Sequence, residues 1–354
     1  MDFKKTLPDP DEIEFTIFGP GYGEAIILHL GENNWMLVDS CLFPKTKDKE
    51  PISLYYLNQI GVDPSSVQTI VASHWHDDHI RGLSALVRKY DQADFFMSGI
   101  FNDREMLDFL AAYDDVEGVG RGTKELTQCI QSSHNPKFAI QRVELYDKMI
   151  GSYQIKVMAF SPTSNAQIQS KIHYAKYLPG QGKGRVSFAP DLMPNIEAVV
   201  IHVDLDGEAI LLGSDLENHQ AGWQAVISDS MCLSKTPASV YKVAHHGSIS
   251  GDHPDIWNKL LKDKPYVSLT PFIRGDKNLP TDEDRERLRE KSKYAFISSG
   301  KSRKPKMDYS IEKRLSDMCK NLSLVNPGFG GIRFRKKLGS VNWNKELIGD
   351  ADMV

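Results

Sequence analysis

The chain has 354 residues, 40% hydrophobic and 25% charged, with a mean hydropathy of −0.39; this is a globular composition with room for one large or two small domains. No apolar run reaches the roughly 18 residues of a membrane span, and the opening MDFKKTLPDPDEIEF carries no secretory signal, so a cytoplasmic protein without a membrane segment is expected. Net charge is −4, and Cys41, Cys129, Cys232 and Cys319 form no CxxC pair, which excludes a globally basic nucleic-acid coat and a cysteine-built zinc ribbon.

In chain order, IEFTIFG, EAIILHL and WMLVDS read as strands separated by a glycine turn and by GENN. Helical spacing predicts a helix at Ile52–Ile60, and the apolar run 69–73 a buried strand. Ile80–Tyr90 reads as helix, ADFFMSGI as strand and Arg104–Tyr113 as helix. Residues 114–135 are polar and glycine-broken, with helix expected after Thr123. FAIQRVELY and YQIKVMAF return to strand. About residues 162–194 the chain is long, polar and rich in Gly, Pro and Ser, the composition of a lid or an irregular insert. EAVVIHVDL and EAILLGSD form a hairpin across Asp206–Gly207. A helix near Gln220–Ser228 leads into the strand SVYKVA. The remainder alternates helix and strand through IWNKLLK, YVSLTPF, EDRERLREK and YAFISS, giving a mixed α/β layout.

Residues 1–300 are expected to form one domain, with residues 301–354 a basic extension packed on it or continuing it. Between Lys301 and Lys337, eleven Lys/Arg face three acidic residues, which leaves the first 300 residues at about −10. That strip would suit a phosphate-bearing partner; on charge alone, a solvated surface is the simpler reading.

The chemistry concentrates in TIVASHWHDDHIRG, which sets His74, His76, Asp78 and His79 between a buried strand and a helix. His74 and His76 point the same way from extended backbone. Asp78 and His79, at the helix start, can turn to the other side of one cavity. Imidazole and carboxylate donors in this density are what a zinc-like cation takes, and two pairs facing one cavity suit two metals. A polar loop with surface histidines is the bland alternative, and three histidines in six residues weigh against it. Asp215 ends the apolar strand ILLGSD, and His245 and His246 follow VYKVA. Alone, Asp215 would be a turn or cap residue; after HxHxDH the set is specific.

HWHDDH followed by GSD and AHHGS resembles the metallo-β-lactamase superfamily, and most closely the hydrolase domain of ComEC-type competence proteins. FGPGYGEAIILHLGENNWMLVDS matches the superfamily's opening, with Asp39 in its aspartate position, and FSPTSN and NIEAVVIHV match a later stretch. The resemblance spans about residues 13–272 and implies a four-layer αββα sandwich with a polar insertion and a C-terminal extension. It implies that His74 and His76 hold one metal, Asp78, His79 and His245 a second, and Asp215 bridges them. His245 is preferred over His246 because it directly follows the strand; His246 would then act on the substrate side, as an acid or phosphate donor beside the catalytic Asp78. Asp39 would orient a site histidine. GYGEA stands where the family has GQGDA, and VDSC where it has DTG. A further first-site histidine is not placed: His134 and His173 lie in the interval in polar segments, where loop histidines are more often solvated than metal-bound.

Two divalent cations are expected, zinc first, with manganese and iron also fitting. The leading reading is a phosphodiesterase or nuclease acting on nucleic acid or nucleotides, with Lys176, Lys183, Arg185 or the basic C-terminal region holding the polyanion. Arg274 or Lys277 would reach the site mouth. The competing readings are a hydrolase of an ester, lactone, thioester or β-lactam, and a module of a larger assembly with a non-catalytic metal site. A separately encoded protein partner is expected in place of membrane segments. Cys41 reads as a small core residue.

Overall fold

The computed structural model describes residues 2–46, 48–113, 122–178, 194–300, 302–303, 308–318 and 326–354. Strands β1 (Glu12–Gly19), β2 (Ala25–His29) and β3 (Trp35–Val38) precede helix α1 (Ile52–Ile60). Then come β4 (Val67–Val71), the short helices α2 (Asp77–Ile80) and α3 (Leu83–Lys89), and β5 (Asp94–Ser98). Helices α4 (Arg104–Tyr113) and α5 (Gly122–Ser132) lead to β6 (Lys137–Ala139). The hairpin of β7 (Glu144–Ile150) and β8 (Tyr153–Ala159) is followed by α6 (Ser164–Ala175) and by β9 (Ile201–Asp204) and β10 (Ala209–Leu212). Helices α7 (Trp223–Ser228) and α8 (Ser230–Leu233) precede β11 (Ala238–Lys242) and β12 (Leu261–Leu269). A small hairpin, β13 (Phe272–Arg274) with β14 (Lys277–Leu279), precedes α9 (Asp282–Lys291) and β15 (Tyr294–Ile297). The chain ends with β16 (Ser302–Arg303), α10 (Tyr309–Met318), β17 (Asn326–Pro327), β18 (Gly330–Lys337), β19 (Asn344–Gly349) and β20 (Asp352–Met353).

Two eight-stranded sheets result, in the orders β19-β18-β1-β2-β3-β4-β5-β6 and β20-β15-β12-β11-β10-β9-β8-β7. Side chains of period two from both sheets, among them Phe15, Ile17, Met36, Val157, Ile201 and Val240, form one apolar layer between them. On the outer face of the first sheet, Trp35, Leu37 and Ile70 pack with Tyr56, Leu86 and Phe109 of α1, α3 and α4. On the outer face of the second, Leu211, Tyr241 and Val267 pack with Trp223 of α7 and Leu288 of α9. The architecture is therefore a four-layer αββα sandwich. Because both faces of each sheet are covered, its central strands read as nearly continuous apolar runs rather than alternating ones.

Several expectations change. FAIQRVELY is not one strand: β6 closes the first sheet and β7 opens the second, so the chain crosses between sheets here. The polar stretch after Pro162 is partly helical, because the Thr163 side chain accepts from Ala166 N and caps α6; residues 179–193, with Lys183 and Arg185, lie outside the described residues. Ile80–Tyr90 breaks at Gly82, whose φ of +83° suits glycine and where a Cβ would lie 2.8 Å from Leu42 Cδ2. IWNKLLK makes only a single wide turn at Ile256–Leu260 before β12 begins. The residues after 300 complete both sheets, β18 pairing β1 along its length and β20 pairing β15.

The four cations of the basic strip that lie on β18 take part in that packing. Arg335 Nε lies 2.7 Å from Glu14, Lys336 Nζ 2.8 Å from Glu208 and Lys337 Nζ 2.9 Å from Asp9, and Arg333 pairs with Glu346. These four cations are paired within the fold, three of them with acidic residues of the body. No described helix is long and apolar enough to cross a membrane.

Candidate metal centre

Strands β3 to β6 run parallel, as do β10, β11, β12 and β15. The C-terminal ends of β3, β4, β10, β11 and β12 deliver Asp39, the 73–79 loop, Asp215, His246 and Thr270 to one another. These groups sit in the turns that follow the strands. Those turns are strained: Asp39 (φ 61°), Ser214 (46°), His245 (48°) and His246 (53°) all have left-handed backbones, at a cost on the order of 1–3 kcal/mol each. At Gly213 a Cβ would lie 2.8 Å from Ala244 N, so glycine allows the Asp215 and His246 turns to touch.

Two donor groups form around Asp215. His74, His76 and Asp215 offer ligand atoms within 4.8 Å of one another, and so do Asp78, His79, Asp215 and His246. His74 Nε2 is 3.0 Å from His76 Nδ1. His246 Nε2 lies 3.1 Å from Asp78 Oδ2 and 3.3 Å from Asp215 Oδ2, and His79 Nε2 lies 3.3 Å from Asp215 Oδ1. Behind them, Asp39 Oδ2 is 2.7 Å from His79 Nδ1 and accepts from Ser73 Oγ, also at 2.7 Å. Ser73 Oγ in turn lies 3.1 Å from His74 Nδ1, so one carboxylate orients a ring in each group. Thr270 O lies 3.1 Å from His246 Nδ1 and serves the same purpose there.

The two groups differ in charge. Burial, reinforced by the His79 and His76 rings, pushes His74 well below the usual imidazole pKa, and burial lowers His76 as well. Burial also opposes charge on His79, but the Asp215, Asp78 and Asp39 carboxylates outweigh it and hold its pKa well above the usual value. In the same way Asp215 and Asp78 raise His246 to about 9 against its burial. The reciprocal attraction of His79 and His246 holds Asp78 and Asp215 below the ordinary carboxylate range although burial works the other way.

The structure thus brings together His74, His76, Asp78, His79, Asp215 and His246. His245 is not in either group. Its side chain is about a fifth exposed, with Nδ1 2.8 Å from Ser250 Oγ and Nε2 3.4 Å from Asn195 Nδ2. The consecutive left-handed residues turn the first histidine outward and the second inward, a reversal that strand-end spacing does not reveal. His134 is exposed, and His173 packs against Tyr174 and Tyr177; neither joins a donor group. Cys41 is buried, and burial raises its thiol pKa, in keeping with a core role.

Two residues against the centre escaped the sequence reading. Lys242 is fully buried in β11, with Nζ 2.8 Å from Glu24 Oε1, 2.9 Å from Ser214 O and 3.7 Å from Asp215 Oδ1. Glu24 Oε2 accepts from Thr270 Oγ1 at 2.6 Å, which ties this pair to the His246 support. The signal was present in VYKVA, a lysine in the middle of an apolar strand, where a charge is tolerated only with a partner.

The donor chemistry fits divalent cations of the zinc type: imidazole nitrogens and carboxylate oxygens, clustered and buried. Both His79 Nε2 and Asp215 Oδ1 are buried without a hydrogen-bond partner, although they face each other across the second group. Polar atoms in that condition are costly unless something binds them.

Residues 18–100 match the family model of the metallo-beta-lactamase superfamily, a segment that runs from β1 through the histidine loop to β5. Solved structures with a related course include Rm3 metallo-beta-lactamase, 15% identical with a TM-score of 0.36 over 65% of this chain and 75% of that one. MIM-1 from Novosphingobium pentaromativorans is 14% identical with a TM-score of 0.34 over 68% and 77%. AidC, a dizinc quorum-quenching lactonase, is 16% identical with a TM-score of 0.31 over 54% and 55%. No curated protein sequence matches the chain.

Proposed function

We propose that the protein is a two-metal phosphodiesterase acting on nucleic acid or a nucleotide. His74, His76 and Asp215 would hold one cation, and Asp78, His79, Asp215 and His246 the other. The observation that carries this reading is the pair of donor groups sharing one carboxylate, the arrangement suited to displacement at phosphorus. They border a cavity of about 640 Å³ whose wall presents Asn195, Ser248, Ser250 and Lys277, donors for phosphate oxygens. The ComEC-type likeness of HWHDDH and AHHGS supports a nucleic-acid substrate and a separately encoded partner.

The cations, zinc by preference with manganese or iron as fitting substitutes, would supply Lewis acidity and charge neutralisation at the phosphate. The chain's own groups do the rest. Asp39 fixes His79, Ser73 and, through Ser73, His74. Asp78 lines the cavity and is positioned to take a proton from the attacking water. His245 and His246 exchange the roles their spacing suggested: His246 belongs with the donors, and His245, held by Ser250 at the cavity wall, can protonate the leaving oxygen.

The same donors would serve a carbonyl hydrolase, and Phe272 and Leu279 give the cavity an apolar wall that an acyl chain or lactone ring could fill. Metal-stripped protein reconstituted with Zn²⁺ or Mn²⁺, beside an Asp78→Ala variant, is therefore tested on bis(p-nitrophenyl) phosphate, single- and double-stranded nucleic acid, a lactone and a β-lactam. Metal-dependent phosphodiester cleavage that the variant lacks is the expected result. Protein holding two ions that leaves phosphodiesters intact and opens the lactone or β-lactam would overturn it.

A further inference from the structure

One wall of the cavity is built by two segments that contribute nothing to the donor groups: the glycine turn before β2 and the β13–β14 hairpin. They are fastened together, Ile273 N donating to Gly21 O at 2.5 Å and the Tyr22 ring meeting Phe272 edge-on at 5.4 Å. Phe272 lies 5.3 Å from the His246 ring, which fixes this wall against the centre. Two guanidinium groups lie over Tyr22, Arg274 at 4.9 Å and Arg81 at 5.1 Å from the ring centroid. Arg81 has a carboxylate, Asp77, at 3.2 Å. Arg274 differs: Nη1 donates to the Tyr22 hydroxyl at 2.7 Å, and it has no carboxylate partner among the described residues.

An exposed arginine ordinarily spends its charge on solvent or a neighbouring acid. This one is stacked and hydrogen-bonded in place at the rim of the cavity, with most of its five N–H donors uncommitted. Its planar fork matches two oxygens of one phosphate. Tyr22 accepts from Arg274 and keeps its own proton to donate; burial and the Asp78 and Asp77 carboxylates raise its pKa to about 12. The first 300 residues carry about −10, so an anionic substrate needs local positive groups at the mouth.

We propose that Arg274 and Tyr22 form a subsite for a second phosphate of the substrate, next along the chain from the one that is cleaved. The inference rests on the phosphodiesterase reading and deepens it: the substrate would be an oligonucleotide or a multiply phosphorylated nucleotide rather than an isolated diester.

The test titrates zinc-loaded full-length protein with thymidine 3′,5′-bisphosphate and thymidine 5′-monophosphate by calorimetry, with bis(p-nitrophenyl) phosphate turnover measured in parallel. Wild type is expected to favour the bisphosphate about tenfold, the discrimination of one charge-assisted hydrogen-bonded contact. Arg274→Ala should reduce that preference below about twofold while monophosphate affinity, zinc content and melting temperature stay put. Arg274→Lys, which keeps the charge and loses the fork, should fall between. A wild type without the preference, or a preference that survives in Arg274→Ala, overturns the subsite. If the preference depends on Arg274 but no diester is cleaved, the phosphodiesterase reading fails and what survives is an Arg274-dependent phosphate contact at the rim. If diesters are cleaved and the preference ignores Arg274, the subsite alone fails.

Discussion

The two donor groups around Asp215 share a carboxylate and differ in nearly everything else. The His74–His76 group has two imidazoles that burial keeps neutral, one of them only partly buried, and a single carboxylate. The Asp78–His79–His246 group is wholly buried and adds a second carboxylate, and in the metal-free protein its imidazoles carry the protons that balance those acids. A cation entering the first group displaces no proton but meets less negative charge. A cation entering the second gains two carboxylates and must expel the protons that stand in for it. On the proposed two-metal reading, the first group would be the weaker site and indifferent to pH, and the second the stronger site and sensitive to it.

Asp215→Ala should erase the contrast by dismantling both groups. Neither ion should remain at stoichiometric level by elemental analysis, and kcat/KM should fall on the order of a thousandfold, the scale of losing a preorganised electrostatic group. One tightly held ion in this variant, with a tenth or more of the activity, would mean that the groups do not share Asp215.

The adjacent histidines sharpen the comparison next. His246→Ala should remove one ion and cost on the order of a hundredfold in activity. His245→Ala should keep both ions and, with a p-nitrophenolate leaving group that needs no protonation, cost less than about tenfold. Its loss should deepen on nucleic acid, whose leaving alkoxide does need a proton. The opposite ranking would restore the assignment that strand-end spacing suggested.

Proton release then separates the groups directly. Calorimetric zinc titration of stripped protein near neutral pH, repeated in buffers of different ionisation enthalpy, should show about two protons leaving with the tighter equivalent and almost none with the weaker. The sign follows from the shifts. With His246 at about 9 and His79 held high, affinity for the second group should weaken as pH falls from about 9, while the first group stays level. Equal release from both equivalents would contradict the charge difference.

How much of this was legible in the sequence follows from the range of the interactions involved. HWHDDH could be read because four of the centre's six donor residues lie within six residues, between one strand end and one helix start. Asp215 could be read only in company: a carboxylate after an apolar strand is ordinarily a turn or cap residue, and its place after HxHxDH made it a candidate. The exchange of His245 and His246 could not, because it depends on two successive left-handed residues held by contacts with Ser214, Ser250 and Thr270. The strand run FAIQRVELY gave no sign of its crossing because both sheets bury the same apolar layer and ask for the same residues. The ion pairs of the basic C-terminal strip were illegible for a related reason: the partners of Arg335, Lys336 and Lys337, which are Glu14, Glu208 and Asp9, lie more than a hundred residues away, so composition registers these cations without their counter-charges.

The smallest effect concerns what lies behind the first group. Trp75, between His74 and His76, donates through Nε1 to Glu197 Oε1 at 2.6 Å, and the Tyr174 hydroxyl reaches Oε2 at 3.2 Å. Glu197 is fully buried, and burial raises its pKa to about 8, so on its Trp75 side the first group leans on a neutral carboxyl, beside the Asp39 support that reaches His79 directly and His74 through Ser73. Between about 4.5 and 8 the native state keeps a proton that the unfolded chain has lost. This stabilisation is complete below the unfolded pKa and drains away as pH rises toward 8, with a slope of up to about 1.4 kcal/mol per pH unit. Glu197→Gln, neutral at every pH, should lack that slope. Urea midpoints of the metal-free wild type and variant at pH 5, 6, 7 and 8 isolate it, because the titrations of His79 and His246 are common to both proteins and cancel in the difference. Parallel curves would mean that Glu197 is ionised in the folded protein, and that both groups rest on charged supports.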